Sequence, residues 1–139
     1  MKFIYKVSIV VFMLSLFSAE VFASSAQDQL SQYMKSGDSQ NVEGLEDILH
    51  KEFVSTYTSP GNGKVKTLER SKFIKMFDKG KFGGKPRVLS VGSVTESKNL
   101  ALIQGEMRGE KLNFSGVFIM QRQGGKWKLK QEYLIVTSS

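Results

Sequence analysis

Residues 112–136 read LNFSGVFIMQRQGGKWKLKQEYLIV. Two runs of alternating apolar residues flank the pair Gly124-Gly125, which has the composition of a two-residue hairpin turn. Pairing outward from this turn sets Trp127 opposite Arg122. The stretch therefore predicts two long antiparallel strands joined by a tight hairpin.

The same register extends into the middle of the hairpin. If no residue is skipped, Gln131 lies opposite Phe118 and Tyr133 lies opposite Gly116. All four residues then share a face with Trp127, because alternate residues of a strand point to the same side.

A second turn at Gly109-Glu110 predicts another strand before it, with Met107 opposite Leu112. Both registers put the same apolar residues on one face, and a slip by one residue would destroy that agreement. The predicted core face consists of Ala101, Ile103, Met107, Leu112, Phe114, Phe118, Met120, Trp127, Leu129, Tyr133 and Ile135, and a turn at Ser97-Lys98 adds Val88, Ser90, Gly92 and Val94.

The opposite face of this predicted sheet carries more apolar residues than a face in water normally does. An apolar surface of this kind is typical of a contact with a partner protein, and a second copy of the chain is the simplest partner. The predicted dimer face consists of Leu89, Val91, Leu100, Leu102, Val117, Ile119, Leu134 and Val136.

Three helices are predicted in the first half of the chain. Ser25, with Asp28 three residues later, resembles a capping box, so the first helix begins there. Gly37 is predicted to end this helix, because glycine accepts the left-handed conformation. Asp38 or Ser39 is predicted to cap the second helix.

The single histidine of the chain, His50, is predicted at the end of the second helix. There it is either a capping or packing residue or a base that faces a cavity. A short strand, Phe53–Thr58, follows it. Thr67 is predicted to cap the third helix, which ends at Gly80.

The first 23 residues predict an export signal. Lys2 and Lys6 precede an apolar run, Val7–Phe17, which at about 11 residues is too short to cross a bilayer. Cleavage after Ala23 would leave residues 24–139 as one domain, periplasmic or secreted, without a stable membrane anchor. The alternative interpretation is that the apolar run is itself an N-terminal anchor.

Composition limits the chemistry of the chain. With no cysteine and one histidine, it predicts no metal site and no cofactor. Residues 1–23 hold two of the 20 basic and one of the 13 acidic residues, so the remainder carries a net charge of +6. The basic run Lys79–Arg87 is either a solvated loop or a contact for anionic surfaces; nucleic acid is not an expected partner of an exported protein.

Three motifs, in their order, carry a family resemblance: YMKSGD (Tyr33–Asp38), ILHKEF (Ile48–Phe53) and GGKWKL (Gly124–Leu129). With them the chain resembles the nuclear transport factor 2-like (NTF2-like) superfamily, and within it the SnoaL-like and "putative lumazine-binding" groups. The resemblance implies an α+β cone of three N-terminal helices packed on a curved, mixed or antiparallel sheet. It also implies a pocket in the mouth of the cone and dimers formed through the convex sheet face.

Such a pocket would be mostly apolar, with a few polar anchors. Gln131 is a lone polar residue on the predicted core face, and Gly105 and Gly116 remove side-chain volume beside it. Alternatively, the glycines only let the sheet curve, and Gln131 bonds a buried backbone group. The predicted pocket residues are Tyr33, Tyr57, Gly105, Phe114, Gly116, Phe118, Gln131 and Tyr133.

Two functions remain open from the sequence. One is a non-catalytic, exported, dimeric domain that binds a small apolar or aromatic ligand. The other is a SnoaL-like isomerase, cyclase or dehydratase with an unusual site, for which His50 and Tyr57 are the candidate catalytic residues. Isomerases of this superfamily use a carboxylate base on the strand after the second helix, where this chain has Tyr57 or Thr58.

Overall fold

The computed structural model describes residues 24–139, and the predicted export signal lies outside the described residues. The elements are the helices α1 (Ala26–Asp38), α2 (Val42–Ile48) and α3 (Arg70–Asp78) and the strands β1 (Leu49–Thr58), β2 (Val65–Glu69), β3 (Val88–Glu96), β4 (Leu100–Arg108), β5 (Leu112–Gln123) and β6 (Lys126–Ser138).

Six strands form one mixed sheet in the order β2-β1-β6-β5-β4-β3. The β1–β6 pair is parallel, and the other neighbouring strands are antiparallel. The helices pack on the concave face of this curved, unclosed sheet, where Leu30, Leu45 and Phe73 are buried with Ile103 and Phe118. The predicted α+β cone is confirmed. In residues 24–139, no helix is both long and apolar enough to cross a membrane.

The first helix begins as predicted but ends later. The Ser25 hydroxyl accepts a hydrogen bond from the Asp28 backbone N–H, and the Asp28 carboxylate accepts one from the Ser25 N–H. The prediction that Gly37 ends the helix is wrong, because α1 continues to Asp38 with Gly37 buried inside it. A Cβ at Gly37 would lie 3.1 Å from the Phe77 ring, so glycine there allows α3 to pack closely.

The second helix has a different cap from the two predicted. Asn41 is the N-cap, and its side-chain oxygen accepts a hydrogen bond from the Gly44 N–H, so the assignment to Asp38 or Ser39 is wrong. The helix stops at Ile48, and His50 therefore lies in β1 rather than at a helix end.

Thr67 lies in the edge strand β2, which was not predicted from the sequence. It pairs with Thr56 of β1, and α3 begins only after Glu69, without a side-chain cap. The helix-capping prediction for Thr67 is wrong because pairing between distant residues outweighs a local capping signal. Gly80 follows the end of α3 with φ of 72°, as predicted.

The β4–β5 connection is wider than a two-residue turn. Met107 pairs with Phe114 rather than with Leu112, and Arg108 pairs with Asn113. The predicted register is therefore wrong by two residues. Because side chains alternate with a period of two, this shift leaves every side chain of β4 and β5 on its predicted face.

The β5–β6 hairpin follows the predicted register only near its turn. Arg122 pairs with Trp127 as predicted, but the register shifts by one residue after Leu129, so that Ile119 pairs with Gln131. This β-bulge at Lys130 reverses the faces of the rest of the strand.

The bulge exchanges two sets of residues between the faces of β6. The predicted inward placement of Gln131, Tyr133 and Ile135 is wrong, as is the predicted outward placement of Leu134 and Val136. Tyr133 and Ile135 are 49% and 62% exposed, whereas Glu132, Leu134 and Val136 are buried.

A second bulge, at Gly92, changes the faces of β3. Leu89 pairs with Met107 and Val91 with Gly105, and both pack against the core rather than on the predicted dimer face. Of the residues predicted inward, Val94 lies on the predicted face, paired with Ile103, whereas Val88 and Ser90 lie on the outer face, paired with Arg108 and Glu106.

Gly105 and Gly116 pair directly with each other within the curved sheet. A Cβ at Gly116 would lie 1.8 Å from the Tyr133 carbonyl oxygen, and one at Gly105 would lie 2.8 Å from the Ser90 carbonyl oxygen. The space beside these glycines is filled by neighbouring backbone. This geometry favours the interpretation that the two glycines serve sheet curvature.

Candidate functional site

A buried carboxylate lies on the concave face of the sheet. Glu132 of β6 is 2% exposed. One of its oxygens accepts a hydrogen bond from the Tyr33 hydroxyl of α1 at 2.5 Å, and the other accepts one from the Ser55 hydroxyl of β1 at 2.7 Å. We call these three residues the Glu132 cluster; it joins a helix to the two parallel strands.

Burial in an apolar interior changes the pKa values of the Glu132 cluster. Burial raises the pKa of Glu132, and the hydrogen bonds from Tyr33 and Ser55 oppose this rise only in part. Burial and the neighbouring Glu132 charge raise the pKa of Tyr33 well above its usual value, so its hydroxyl stays a donor. Among the salt bridges of the described residues, none includes Glu132. Perturbed, buried carboxylates of this kind concentrate at functional sites.

A row of aromatic rings lies beside the Glu132 cluster. Phe73 of α3 is at its centre, with its ring centroid 6.4 Å from that of Tyr33, 5.1 Å from Phe77 and 6.1 Å from Phe82. Tyr57 of β1 packs edge-on against Phe82 at 6.1 Å. Phe82, which stands alone in the basic run of the sequence, is therefore the outer member of an aromatic wall.

Phe82 belongs to the connection between α3 and β3, Lys79–Arg87, which we call the strap. The Gly84 N–H donates a hydrogen bond to the Asp38 carbonyl oxygen at 2.9 Å, and the Arg87 guanidinium pairs with the Asp38 carboxylate at 2.6 Å. The Arg87 and Asp38 side chains are each 13% exposed. Arg87, the last basic residue of the run, is thus held in an ion pair, while the three lysines of the strap are exposed.

The predicted pocket residues fall into two groups. Tyr33, Tyr57, Gly105, Phe114, Gly116 and Phe118 lie on the concave side, where Phe114 also packs under the Arg87 guanidinium at 5.1 Å from its ring centroid. Gln131 and Tyr133 lie on the outer side because of the bulge at Lys130. The polar residue that the structure brings into the concave side is Glu132, the neighbour of the predicted Gln131; Glu132 pairs with the buried Phe118.

The two candidate catalytic residues are not brought together. His50 is 5% exposed, and its Nδ1 accepts a hydrogen bond from the Glu52 backbone N–H at 3.0 Å. Burial and the nearby Lys130 charge lower the pKa of His50, which favours the neutral imidazole. Tyr57 lies seven residues further along β1, beyond a register irregularity between Leu49 and Val54, and no hydrogen bond between described residues joins it to His50. Burial also raises the pKa of Tyr57.

The outer face of the sheet carries an exposed apolar surface, which we call the outer patch: Leu100, Leu102, Val117, Ile119, Tyr133 and Ile135. The first four were predicted to face outward and do so, whereas Tyr133 and Ile135 take the place of Leu134 and Val136. A shallow depression of about 270 Å³ adjoins this patch, lined by Thr56, Tyr57, Thr58, Val65, Ser115, Gly116, Tyr133, Leu134 and Ile135.

One sequence signal could have located Glu132. The apolar residues of β6 form two alternating sets, Trp127 with Leu129 and Leu134 with Val136, and an odd spacing separates Leu129 from Leu134. An odd spacing between two inward sets implies one extra residue, which is a bulge. Because Tyr133 and Ile135 are also apolar, the uninterrupted register fitted the pattern equally well.

The Glu132 cluster predicts a specific dependence of stability on pH. Since the folded protein raises the pKa of Glu132 above its usual 4.5, the folded state holds this proton more tightly than the unfolded chain does. The resulting stabilisation is complete below pH 4.5 and is lost as the pH rises through the raised pKa. Glu132→Gln is expected to remove this loss, measured as the urea unfolding free energy at successive pH values.

His50 acts in the opposite sense, because its lowered pKa makes the folded protein lose stability as the pH falls below 6.5. Its contribution is common to wild type and Glu132→Gln, so it cancels in their difference at each pH. Parallel pH profiles for the two proteins would contradict the buried, proton-binding role of Glu132.

Comparison with solved structures identifies the architecture. An NTF2-like protein of unknown function from Silicibacter pomeroyi DSS-3 superposes with a TM-score of 0.69 at 14% identity, over 79% of this chain and 91% of that chain. One from Shewanella baltica OS155 gives a TM-score of 0.69 at 13% identity, over 82% and 92%. An NTF2-like protein from Cytophaga hutchinsonii ATCC 33406 gives 0.67 at 17% identity, over 81% and 94%. These likenesses concern the fold.

No curated protein matches this chain in sequence. A family model described as "Putative lumazine-binding" matches residues 23–132, which includes all three helices, β1 to β5 and the Glu132 cluster. The chain therefore belongs to this family of the NTF2-like superfamily.

Proposed function

We propose that this chain is an exported, non-catalytic NTF2-like domain that binds a small aromatic molecule on the concave side of its sheet and forms a dimer through the outer patch. The observation that carries the binding proposal is the buried Glu132 cluster beside the aromatic wall of Phe73, Phe77 and Phe82. Apolar walls around a few polar anchors are the usual composition of a small-molecule site.

The family description names lumazine, and this compound fits the chemistry of the concave side. Lumazine is a planar bicyclic ring with N–H donors and carbonyl acceptors. Aromatic side chains can stack on or pack edge-on to such a ring, and the Glu132 carboxylate has acceptor capacity beyond its two bonds with Tyr33 and Ser55. Lumazine is therefore the first probe for binding.

The arrangement of ionisable groups supports binding over catalysis. General acid–base catalysis requires a group within hydrogen-bond reach of the proton that it moves. Both oxygens of Glu132 already accept hydrogen bonds from hydroxyls, and the His50 Nδ1 accepts one from the Glu52 backbone N–H rather than from Tyr57.

Native mass spectrometry of the protein purified from its own exported fraction tests the binding proposal. A reproducible extra mass is expected on the wild type. It is expected to be lost in Phe73→Leu, which replaces the central ring of the aromatic wall with an aliphatic side chain. Val94→Ala, an exposed substitution outside the wall, is the control and is expected to retain the mass. Wild-type protein that carries no extra mass and does not bind added lumazine would overturn the proposal.

The dimer proposal rests on the exposed side chains of the outer patch. Leu100, Leu102, Tyr133 and Ile135 are each more than two-fifths exposed, and with Val117 they lie on neighbouring strands of one face. Burying this surface between two copies removes apolar area from water, at about 25 cal/mol per Å². A face that contacts itself generates a closed dimer with two-fold symmetry.

Charge introduced into the outer patch is expected to abolish the dimer. Ile135→Lys places an ammonium group within the patch, where pairing would desolvate it. By sedimentation velocity, wild type is expected as a dimer and Ile135→Lys as a monomer. Val94→Lys, which makes the same change on the opposite face, is expected to remain dimeric. A monomeric wild type, or a dimeric Ile135→Lys, would contradict the proposed interface.

A second candidate function is an enzyme of the SnoaL-like type with Glu132 as its base. The observation that favours it is the burial of Glu132, which raises its pKa towards the range of a general base. The test is to incubate the protein with its co-purified ligand in D₂O. Deuterium incorporation by wild type and not by Glu132→Gln would favour the enzyme; no incorporation by either would exclude proton exchange at this site.

A further inference from the structure

We propose that one side of the molecule, formed by α3 and the strap, binds reversibly to a lipid surface with anionic headgroups. We call this side the basic face, and its residues are Lys72 and Lys75 of α3 and Lys79 and Lys81 of the strap. This inference requires neither the small-molecule ligand nor the dimer. The basic face lies on the helix side of the sheet, and the outer patch lies on the other side.

The net positive charge of the described residues is confined to α3 and the strap. Residues 70–87 hold seven basic residues and one acidic residue, Asp78, which is a net charge of +6. The rest of the described chain, 24–69 and 88–139, holds 11 basic and 11 acidic residues, so its net charge is zero. Such an asymmetry along a chain is typical of a segment that binds an anionic partner.

The helix α3 directs its lysines away from the core. The side of α3 that packs on the sheet is apolar and buried: Phe73, Ile74 and Phe77. Lys72, Lys75 and Lys79 are exposed, and their spacing of three and four residues places them together on the opposite side. Lys72 and Lys79 are separated by about 10 Å along the helix axis. This distance is close to the Debye length of about 8 Å at physiological ionic strength, so the three charges act together.

Backbone hydrogen bonds hold the strap on the helices and place Lys81 beside the last turn of α3. The N–H groups of Lys81 and Phe82 both donate to the Met76 carbonyl oxygen, at 2.9 Å and 3.1 Å. Further along, the Gly84 N–H donates to the Asp38 carbonyl oxygen at 2.9 Å. The exposed Lys81 therefore extends the lysine row of α3 in a defined position.

Acidic residues do not neutralise the basic face. Among the salt bridges of residues 24–139, none includes a lysine of this face. Lys85, the remaining lysine of the strap, pairs with Glu110 at 3.9 Å and is not counted in the face. Asp78 is the single carboxylate of α3 and the strap, so at least three of the four positive charges of the basic face remain available to a partner.

The kind of cation favours an extended lipid surface over a single bound anion. The planar guanidinium groups of Arg70 and Arg87 would suit bidentate recognition of one phosphate, but both contact the protein itself. Arg70 donates to the Glu46 carbonyl oxygen at 2.8 Å, and Arg87 pairs with the Asp38 carboxylate at 2.6 Å. The basic face consists of lysines, which are point charges on flexible stems. A surface of many headgroups can meet all of them at once, and each lysine near such a surface raises the affinity about five-fold.

Vesicle sedimentation with the protein purified from its own exported fraction tests the inference. Wild type is expected to bind vesicles of phosphatidylcholine and phosphatidylglycerol in a ratio of about three to one, and not vesicles of phosphatidylcholine alone. It is expected to be released at about 1 M salt, where the Debye length is about 3 Å. The triple variant Lys72→Gln/Lys75→Gln/Lys79→Gln is expected to lower the partition coefficient about 100-fold, at about five-fold per lysine.

The matched control removes the same charge elsewhere on the surface. Lys98→Gln/Lys111→Gln/Lys126→Gln changes three exposed lysines at the turns of the sheet and is expected to bind within about three-fold of wild type. Equal losses in the two triple variants would show that overall net charge determines binding, and would overturn the inference. Wild type that binds neither kind of vesicle, or both equally, would overturn it as well.

Two competitors separate the lipid surface from other anionic partners. Inorganic phosphate, added at constant ionic strength, is expected to leave vesicle binding unchanged, and displacement by it would replace the lipid surface with a single-phosphate site. Binding of poly-glutamate without binding of vesicles would overturn the lipid surface in favour of an acidic protein. If the triple variant of the basic face does not unfold cooperatively in urea, Lys75→Gln alone replaces it, with an expected loss of about five-fold.

Discussion

Replacing Gly116 with alanine is expected to lower the free energy of unfolding by about 3 kcal/mol, the upper range for overpacking a well-filled site. The added Cβ would lie 1.8 Å from the Tyr133 carbonyl oxygen, and the obstacle is backbone, which cannot rotate away. Either β5 and β6 separate locally and lose hydrogen bonds, or the bend of the sheet relaxes. Urea unfolding followed by tryptophan fluorescence measures the change.

Gly92→Ala is the matched control for this prediction. Its Cβ would lie 3.5 Å from the Gln104 carbonyl oxygen, an ordinary van der Waals distance, so its effect is expected to be below about 1 kcal/mol. Equal effects of the two substitutions would show that loss of glycine in a strand, rather than the close approach at Gly116, determines stability.

Tyr33→Phe is expected to lower the free energy of unfolding by about 2 kcal/mol at neutral pH, the range for a lost hydrogen bond to a charged group. The substitution keeps the ring that stacks on Phe73 and removes only the hydroxyl that donates to Glu132. Glu132 then keeps Ser55 as its one hydroxyl donor. The same urea titration measures the loss, together with a further rise in the pKa of Glu132 that displaces the stability profile towards higher pH.

A double-mutant cycle separates the hydrogen bond from the loss of a polar atom. In a Glu132→Gln background, Tyr33→Phe is expected to cost about 1 kcal/mol or less, because the acceptor is then a neutral amide. Tyr57→Phe is a control, since it removes the hydroxyl of a half-buried tyrosine outside the cluster. If Tyr33→Phe and Tyr57→Phe have the same effect, the Tyr33–Glu132 bond makes no special contribution.

Patterns that depend on neighbouring residues predicted the elements well. Three predictions were correct: the Ser25 capping box, the Gly124-Gly125 hairpin and the outward face of Leu102 and Val117. Each depends on residues close in sequence or on strand alternation. The register error of two residues at the Gly109-Glu110 turn did not change the faces assigned to β4 and β5, because side chains alternate with a period of two residues.

The candidate site could not be predicted from such local patterns. A single extra residue at Lys130 moves Glu132 from the outer face to the core and moves Gln131 and Tyr133 outward. In strands with apolar residues at both odd and even positions, alternation cannot locate such a bulge. The pairing of β6 with β1 on its other side, through Ser55 opposite Glu132, fixes it in the folded chain.

Binary patterning and turn chemistry act over neighbouring residues, and they predicted three helices, the long β5–β6 hairpin and an apolar outer face; the α+β cone was predicted by the family resemblance. The folded chain places Glu132 on the inward side of β6, His50 in β1 rather than at a helix end, and Phe82 over an aromatic wall beside a buried carboxylate. Those facts depend on one bulge and on contacts between residues up to 99 positions apart, such as Tyr33 with Glu132, whose energies no local pattern contains.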